Sequence, residues 1–196
     1  MPTRPAPRVR LILDREHYDE VVLRTLLEAR VSLWIATANL KEVMVEAPMG
    51  TTARARDRFV SITSRFVDLV QRGVEIRILH AGPPSRPLRA ALRRARGLDP
   101  ARFELRQCPR CHMKVVAVDG AALYLGSANF TGAGLGAKGE GRRNFEIGVL
   151  TDDDLWLDAV QQRFDRVWSG LECASCRLRV ECPKPLDGAG RAPRTK

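Results

Sequence analysis

Short β-rich runs alternate with amphipathic helical stretches through most of this chain, and that alternation places it in the α/β class. Over residues 16–29 the apolar positions Tyr18, Val21, Val22, Leu26 and Leu27 recur at helical spacing, and residues 31–40, with Trp34 and Ile35, read as the strand that follows. The unit repeats. Phe59, Ile62, Phe66, Leu69 and Val70 stripe a helix over residues 59–71 that Gly73 stops, and residues 74–80 form a second strand. A basic helix with Arg89, Arg93, Arg94 and Arg96 precedes a short strand at 103–106. Strands are predicted at 112–118, 121–125 and 145–151. A helix over 153–168 then begins with aspartates, which suit a helix N-terminus, and buries Leu155, Val160, Phe164 and Val167. Residues 46–57, with Pro48, Gly50, Arg54 and Arg56, read as an exposed loop.

At 196 residues and 44% hydrophobic content the chain suits one domain with its own core. No apolar run approaches the roughly 20 residues of a membrane span, and no apolar stretch follows the Pro- and Arg-rich residues 1–10. These features predict a cytoplasmic protein with no integral membrane contact. The 33 basic residues exceed the 23 acidic ones, and 28 of the 33 are arginine, whose planar guanidinium suits bidentate contact with phosphate. A polyanionic partner follows, although charge alone leaves nucleic acid, lipid and a merely solvated surface open.

The stretch HMKVVAVDGAALYLGSANF, residues 112–130, carries the chemistry, with spacing H-x-K-x4-D-x6-G-S-x-N. Side chains alternate faces along a strand, so His112 and Lys114 sit side by side and offer a phosphate an imidazole and an ammonium. The turn from Gly126 to Asn129 adds small residues, a hydroxyl, an amide and backbone N–H groups. Taken singly, His112 reads as a packed strand histidine and Lys114 as a solvated lysine. The combination does not. Residues 131–143 hold five glycines together with Lys138, Arg142 and Arg143, and read as a mobile basic rim to the site.

These residues resemble the phospholipase D superfamily, whose motif is matched at every position from His112 to Asn129, with Asn144-x-Glu146 as further support. The resemblance spans residues 10–170 and implies a mixed sheet flanked by helices. It also implies phosphodiester cleavage through a covalent phosphohistidine, with one histidine as nucleophile and a second as general acid. Carried over by residue, His112 is nucleophile or acid, Lys114 and Asn129 hold the non-bridging oxygens, Ser127 donates a further hydrogen bond, and Glu146 orients His112. Asp119 and Gly126 support the site. No metal is implied for catalysis. The chain holds one motif and three histidines, His17, His80 and His112. The missing half is therefore expected from a second copy in a homodimer.

All five cysteines fall in two clusters, Cys108-x2-Cys111 and Cys173-x2-Cys176-x5-Cys182. In a reducing compartment this pattern suggests a structural zinc held by four of the five, with the knuckles meeting through the fold. The spacing of Cys173, Cys176 and Cys182 with one upstream cysteine also suits an iron–sulfur cluster, which ranks second. The expected organisation is a loose tail at 1–9, the catalytic domain at 10–170, a cysteine-rich metal-binding segment at 171–183 and a second loose tail at 184–196.

Small size, one motif and an excess of arginine favour a nuclease acting on DNA or RNA. Two alternatives stand beside it: a phospholipid phosphodiesterase or transferase, for which Trp156 is the one exposed apolar feature, and an inactive nucleic-acid-binding module of a defence or repair complex.

Overall fold

Seven strands share one mixed sheet in the computed structural model, which describes residues 6–56, 58–182 and 184–188. In chain order these are β1 (Val9–Leu13), β2 (Ser32–Thr37), β5 (Glu75–His80), β6 (Phe103–Gln107), β7 (Val115–Val118), β8 (Ala122–Gly126) and β9 (Ile147–Thr151). A separate hairpin pairs β3 (Met44–Glu46) with β4 (Phe59–Ser61). The order across the sheet is β1-β9-β8-β7-β2-β5-β6. β2, β5 and β6 run parallel, as helix-linked strands do, while the close-spaced β7, β8 and β9 run antiparallel.

The helices are a single turn α1 (Thr52–Ala55), α2 (Ile62–Gln71), α3 (Arg86–Arg94) and α4 (Asp154–Trp168). Each starts where a hydroxyl or carboxylate takes an orphan N–H: Thr51 caps α1, Ser61 caps α2, Ser85 caps α3 and Asp153 caps α4. Strand alternation divides the core between two faces. Leu33, Ile35, Ile76, Ile78, Val116 and Tyr124 pack with Phe66 and Leu69 of α2, whereas Ala36, Leu79, Val115, Ala117 and Leu123 face Leu157, Phe164 and Trp168 of α4. Each such large side chain contributes about 1.5–3 kcal/mol on burial. At the end of α4, Trp168 stacks on Phe164, and its backbone oxygen accepts a 2.7 Å hydrogen bond from Arg106 of β6.

Several expectations change. The helix over 16–29 is a π-helical turn, His17–Leu23, and a 3-10 turn, Leu26–Glu28. The Thr25 hydroxyl donates to the Glu20 carbonyl, drawing off an acceptor that the α-helical ladder uses, and the wider turn still buries Tyr18, Val21 and Val22. The helix over 59–71 starts only at Ile62, because Phe59–Ser61 pairs with Met44–Glu46 across what reads as loop. The motif strand begins at Val115, so His112 to Lys114 lie just before it rather than in it. Residue 9 is no loose tail: Val9 opens β1, and Arg8 makes two 2.7 Å hydrogen bonds to Asp152. The first five residues and residues 189–196 of the proposed tails lie outside the described residues.

Candidate active site

Three neighbouring strands bring the motif residues to one edge of the sheet. The Gly126 N–H donates to the Lys114 carbonyl (3.2 Å) and the Ser127 N–H to the Ile147 carbonyl (2.9 Å), so the run before β7, the end of β8 and the start of β9 lie side by side. His112 is exposed and Lys114 half-buried. The Lys114 Nζ lies 3.2 Å from both ring nitrogens of His112 and donates to the His112 carbonyl at 2.9 Å. An ammonium against an imidazole is the pairing that draws a phosphate oxygen within reach of a ring nitrogen.

Asn129 is fixed from the end of β2. Its Oδ1 accepts the Asn39 N–H at 3.0 Å, while the Phe130 N–H donates to the Thr37 hydroxyl at 2.9 Å. That leaves the Asn129 amide nitrogen as the donor the site can use. Ser127 and Glu146 are tied to each other: the hydroxyl donates to the carboxylate and accepts the Ile147 N–H at 3.1 Å. The second Glu146 oxygen accepts from the Asn144 side chain at 2.9 Å. Within one chain Glu146 therefore bonds Ser127 and Asn144 rather than His112, and the Ser127 proton is already committed to it.

Asp119 sits at the far end of β7 with φ +56°, and its carboxylate accepts the backbone N–H groups of Arg30, Val31 and Ser32 at 2.8–3.2 Å. Gly126 is required by contact: a Cβ there would run into the ring and hydroxyl of buried Tyr124. The other two histidines are turned inward. His17 is fully buried, its ring edge-on to Tyr124, and its Nδ1 lies 3.0 Å from the Asp14 carbonyl. His80 is 4% exposed, with Nδ1 2.8 Å from the Gly82 carbonyl. Burial holds both below the usual histidine pKa.

A family model described as cardiolipin synthase, PLD-like domain matches residues 22–168. The chain belongs to the phospholipase D superfamily. Nuc of Salmonella typhimurium, a phospholipase D family member, aligns at 21% identity over 84% of this chain and 95% of its own, with a TM-score of 0.58. NucT of Helicobacter pylori aligns at 14% identity over 82% and 95%, also with a TM-score of 0.58. A phosphatidylserine synthase of Haemophilus influenzae aligns at 15% identity over 84% of this chain and 39% of its own, with a TM-score of 0.52. Against curated protein sequences nothing matches. Phospholipase D superfamily membership brings phosphodiesterase chemistry of the general kind, on a mixed sheet flanked by helices. Among the described residues no helix is long and apolar enough to cross a membrane.

Two features of this superfamily member depart from the sequence reading. The glycine-rich segment 131–143 is not mobile throughout, because its first half is packed: Leu135 joins the core, and a Cβ on Gly134 would approach the Asn129 carbonyl to 2.6 Å. In its second half Lys138 and Arg142 are exposed and Arg143 is half-buried. The five cysteines are free and line one cavity with His112, so the knuckles meet through the fold. The expected zinc site is nevertheless not closed. Among the described residues no three Cys, His, Asp or Glu side chains are gathered to hold an ion.

Asp14 and Tyr124 are the site supports that sequence reasoning missed. Asp14 exchanges hydrogen bonds with Glu146: its Oδ1 accepts the Glu146 N–H at 2.9 Å, and its N–H donates to the Glu146 carbonyl at 3.0 Å. Tyr124 fills the space beneath Gly126 and Gly148. The glycine at 126 was the signal for a close neighbour, but nothing along the chain named the tyrosine. For Asp14 no signal was present, since its partner is 132 residues away.

Proposed function

We propose that the protein is a nuclease that cleaves DNA or RNA through a covalent phosphohistidine, with His112 of two copies facing one phosphate. The observation that carries this reading is the exposed His112 with the half-buried Lys114 held against its ring, in a chain whose other two histidines are buried. One His112 ring nitrogen attacks phosphorus, and the bond to the leaving oxygen breaks. The imidazolium of the other His112 gives that oxygen its proton. The second imidazole, now neutral, takes a proton from water, whose oxygen displaces the first histidine from phosphorus. Lys114 and the Asn129 amide from each copy neutralise the charge that develops, so the chemistry needs no metal, and any zinc at the cysteines is structural in this reading.

Lys138, Arg142 and Arg143 supply a basic margin for the polyanion backbone. Five unpaired cysteines suit a reducing compartment, which supports action in the cytoplasm. A phospholipid substrate ranks second, favoured by Trp156, 44% exposed at the start of α4, and by Leu155, which the helical pattern assigns to the core but which is 80% exposed. The test is cleavage of labelled single-stranded DNA, duplex DNA, RNA and phospholipid in EDTA. Cleavage of nucleic acid that disappears in His112→Ala is the expected result. Turnover of phospholipid alone would replace the substrate class, and cleavage retained in His112→Ala would remove the mechanism.

A further inference from the structure

Among the described residues after α4 there is no helix or strand to hold the chain. Residues 169–182 run as consecutive turns, with Leu171 and Val180 64% and 80% exposed. Ion pairs from Arg163 and Arg166 to Glu172, and from Arg179 to Asp187, lie at the surface, where such pairs are worth little. Yet the segment is folded back against the run that leads to His112. All five cysteines and His112 line the cavity between the two.

The backbone turns explain how the thiols come to share that wall. The Cys111 N–H donates to the Cys108 carbonyl at 2.8 Å and the Cys176 N–H to the Cys173 carbonyl at 3.1 Å, which closes each C-x2-C as a tight turn. A bond from the Cys182 N–H to the Leu178 carbonyl, 2.8 Å, turns the third C-terminal cysteine back towards them. Cys173, Cys176 and Cys182 all lie within electrostatic reach of Cys108. Cys111 is placed differently. It is 4% exposed, packs with Leu79, Val115 and Leu123, and aims its sulfur at the Leu79 carbonyl, 4.0 Å away. Arg110 lies within electrostatic reach of Cys176, and Arg179 within reach of Cys173 and Cys176.

We propose that Cys108, Cys173, Cys176 and Cys182 are the four ligands of a structural zinc ion and that Cys111 is a packing residue. The thiols are not gathered at ligand spacing in this structure, and the ion draws them together from the cavity wall. Four thiolates around a divalent zinc leave a charge of −2, which the nearby guanidiniums of Arg110 and Arg179 offset as neighbouring cations. Binding releases the four thiol protons to solvent and changes no oxidation state. The ion supplies what the segment's exposed leucine and valine do not, a cross-link between the C-terminus and β6. Cys108 is fixed to β5 by a 2.8 Å bond from its N–H to the His80 carbonyl, so the site also fixes the start of the run carrying His112. That last consequence rests on the nuclease reading; the metal site does not.

The experiment is metal analysis with zinc-edge X-ray absorption on the full chain, purified without chelator from zinc-supplemented cells, with Cys111→Ala, Cys176→Ser and His112→Ala alongside. One zinc per chain with four sulfurs at about 2.3 Å is expected in the wild type. Cys111→Ala and His112→Ala keep it, and Cys176→Ser loses it. A zinc-free protein with reactive thiols, a mixed nitrogen and sulfur shell, iron with acid-labile sulfide, or zinc lost with Cys111→Ala in a folded protein would each overturn the assignment. The wild-type spectrum decides even if a variant fails to fold. Zinc present in a protein that cleaves no nucleic acid rejects only the nuclease reading, and cleavage by a zinc-free protein rejects only the metal site.

Discussion

His17 and His80 are enclosed by core and backbone, which leaves His112 as the one histidine of the chain that a phosphate can touch. Replacing it with alanine should lower cleavage by more than about 10³-fold while nucleic-acid binding persists, because the cationic rim is untouched. Single-turnover kinetics beside a gel-shift titration separates the two. Lys114→Ala removes the cation held against the ring and should cost about 10²-fold or more in the chemical step. Asp119 acts by a different route. Its carboxylate holds three backbone N–H groups at the start of β2, and its positive φ disfavours alanine, so Asp119→Ala should lose about 2 kcal/mol of stability. Thermal melting should register that loss, with the turnover number little changed below the melting temperature. A large drop in turnover at unchanged stability would place Asp119 in the chemistry instead. The roles proposed for His112, Lys114 and Asn129 come from the motif's resemblance, to which the structure adds that the Lys114 ammonium lies against the His112 ring. Asp14 was not legible in the sequence, because a carboxylate that serves a strand 132 residues away looks like any turn aspartate.

At the scale of elements, the sequence reading found the strands and helices whose periodicity is unbroken: β5, β6, β8 and α4 fall within two residues of their expected limits. It missed elements whose identity is decided by a partner. Val9–Leu13 becomes β1 only because β9 offers it an open edge, and Phe59–Ser61 pairs with Met44–Glu46 across a gap that Pro48 and Gly50 mark as loop. The glycine-rich segment was misread as mobile throughout because glycine signals freedom when the packing is unknown. Here Gly134 lets the segment pass under Asn129, where a Cβ has no room. Gly134→Ala should therefore displace Asn129 and lower cleavage at least about tenfold, while Gly141→Ala, whose Cβ meets nothing within 4 Å, should leave it unchanged. Equal activity in the two variants would mean that Asn129 is not positioned by this contact.

For the whole molecule, the buried histidines give stability a pH dependence whose sign is fixed. Burial lowers the pKa of both His17 and His80 in the folded state below the ordinary value of 6.5. As pH falls through that value the unfolded chain takes up protons that the folded one refuses, so stability is complete above pH 6.5 and is lost below it. Urea midpoints between pH 8 and pH 5 should decline on the acid side, and His80→Gln should flatten that decline. A midpoint that stays level in the wild type would mean that neither imidazole is held neutral. Cleavage should instead follow a bell-shaped profile if one His112 must be neutral to attack phosphorus and the other protonated to serve as acid. The proposed sharing of the site between two copies belongs to this scale as well, and it rests on three histidines and a single motif. The cysteine clusters were legible as a pair that must meet, but not which thiol stays in the core; Cys111 is set apart only by its packing against Leu79 and Leu123.

The claim that two copies of His112 share one phosphate is tested most directly with a mixed dimer of wild-type and His112→Ala chains, each carrying a different tag and isolated through both. With one imidazole per phosphate the mixed dimer should cleave no faster than the His112→Ala homodimer. Half the wild-type rate from the purified mixed dimer would contradict the shared site and return the whole reaction to a single chain.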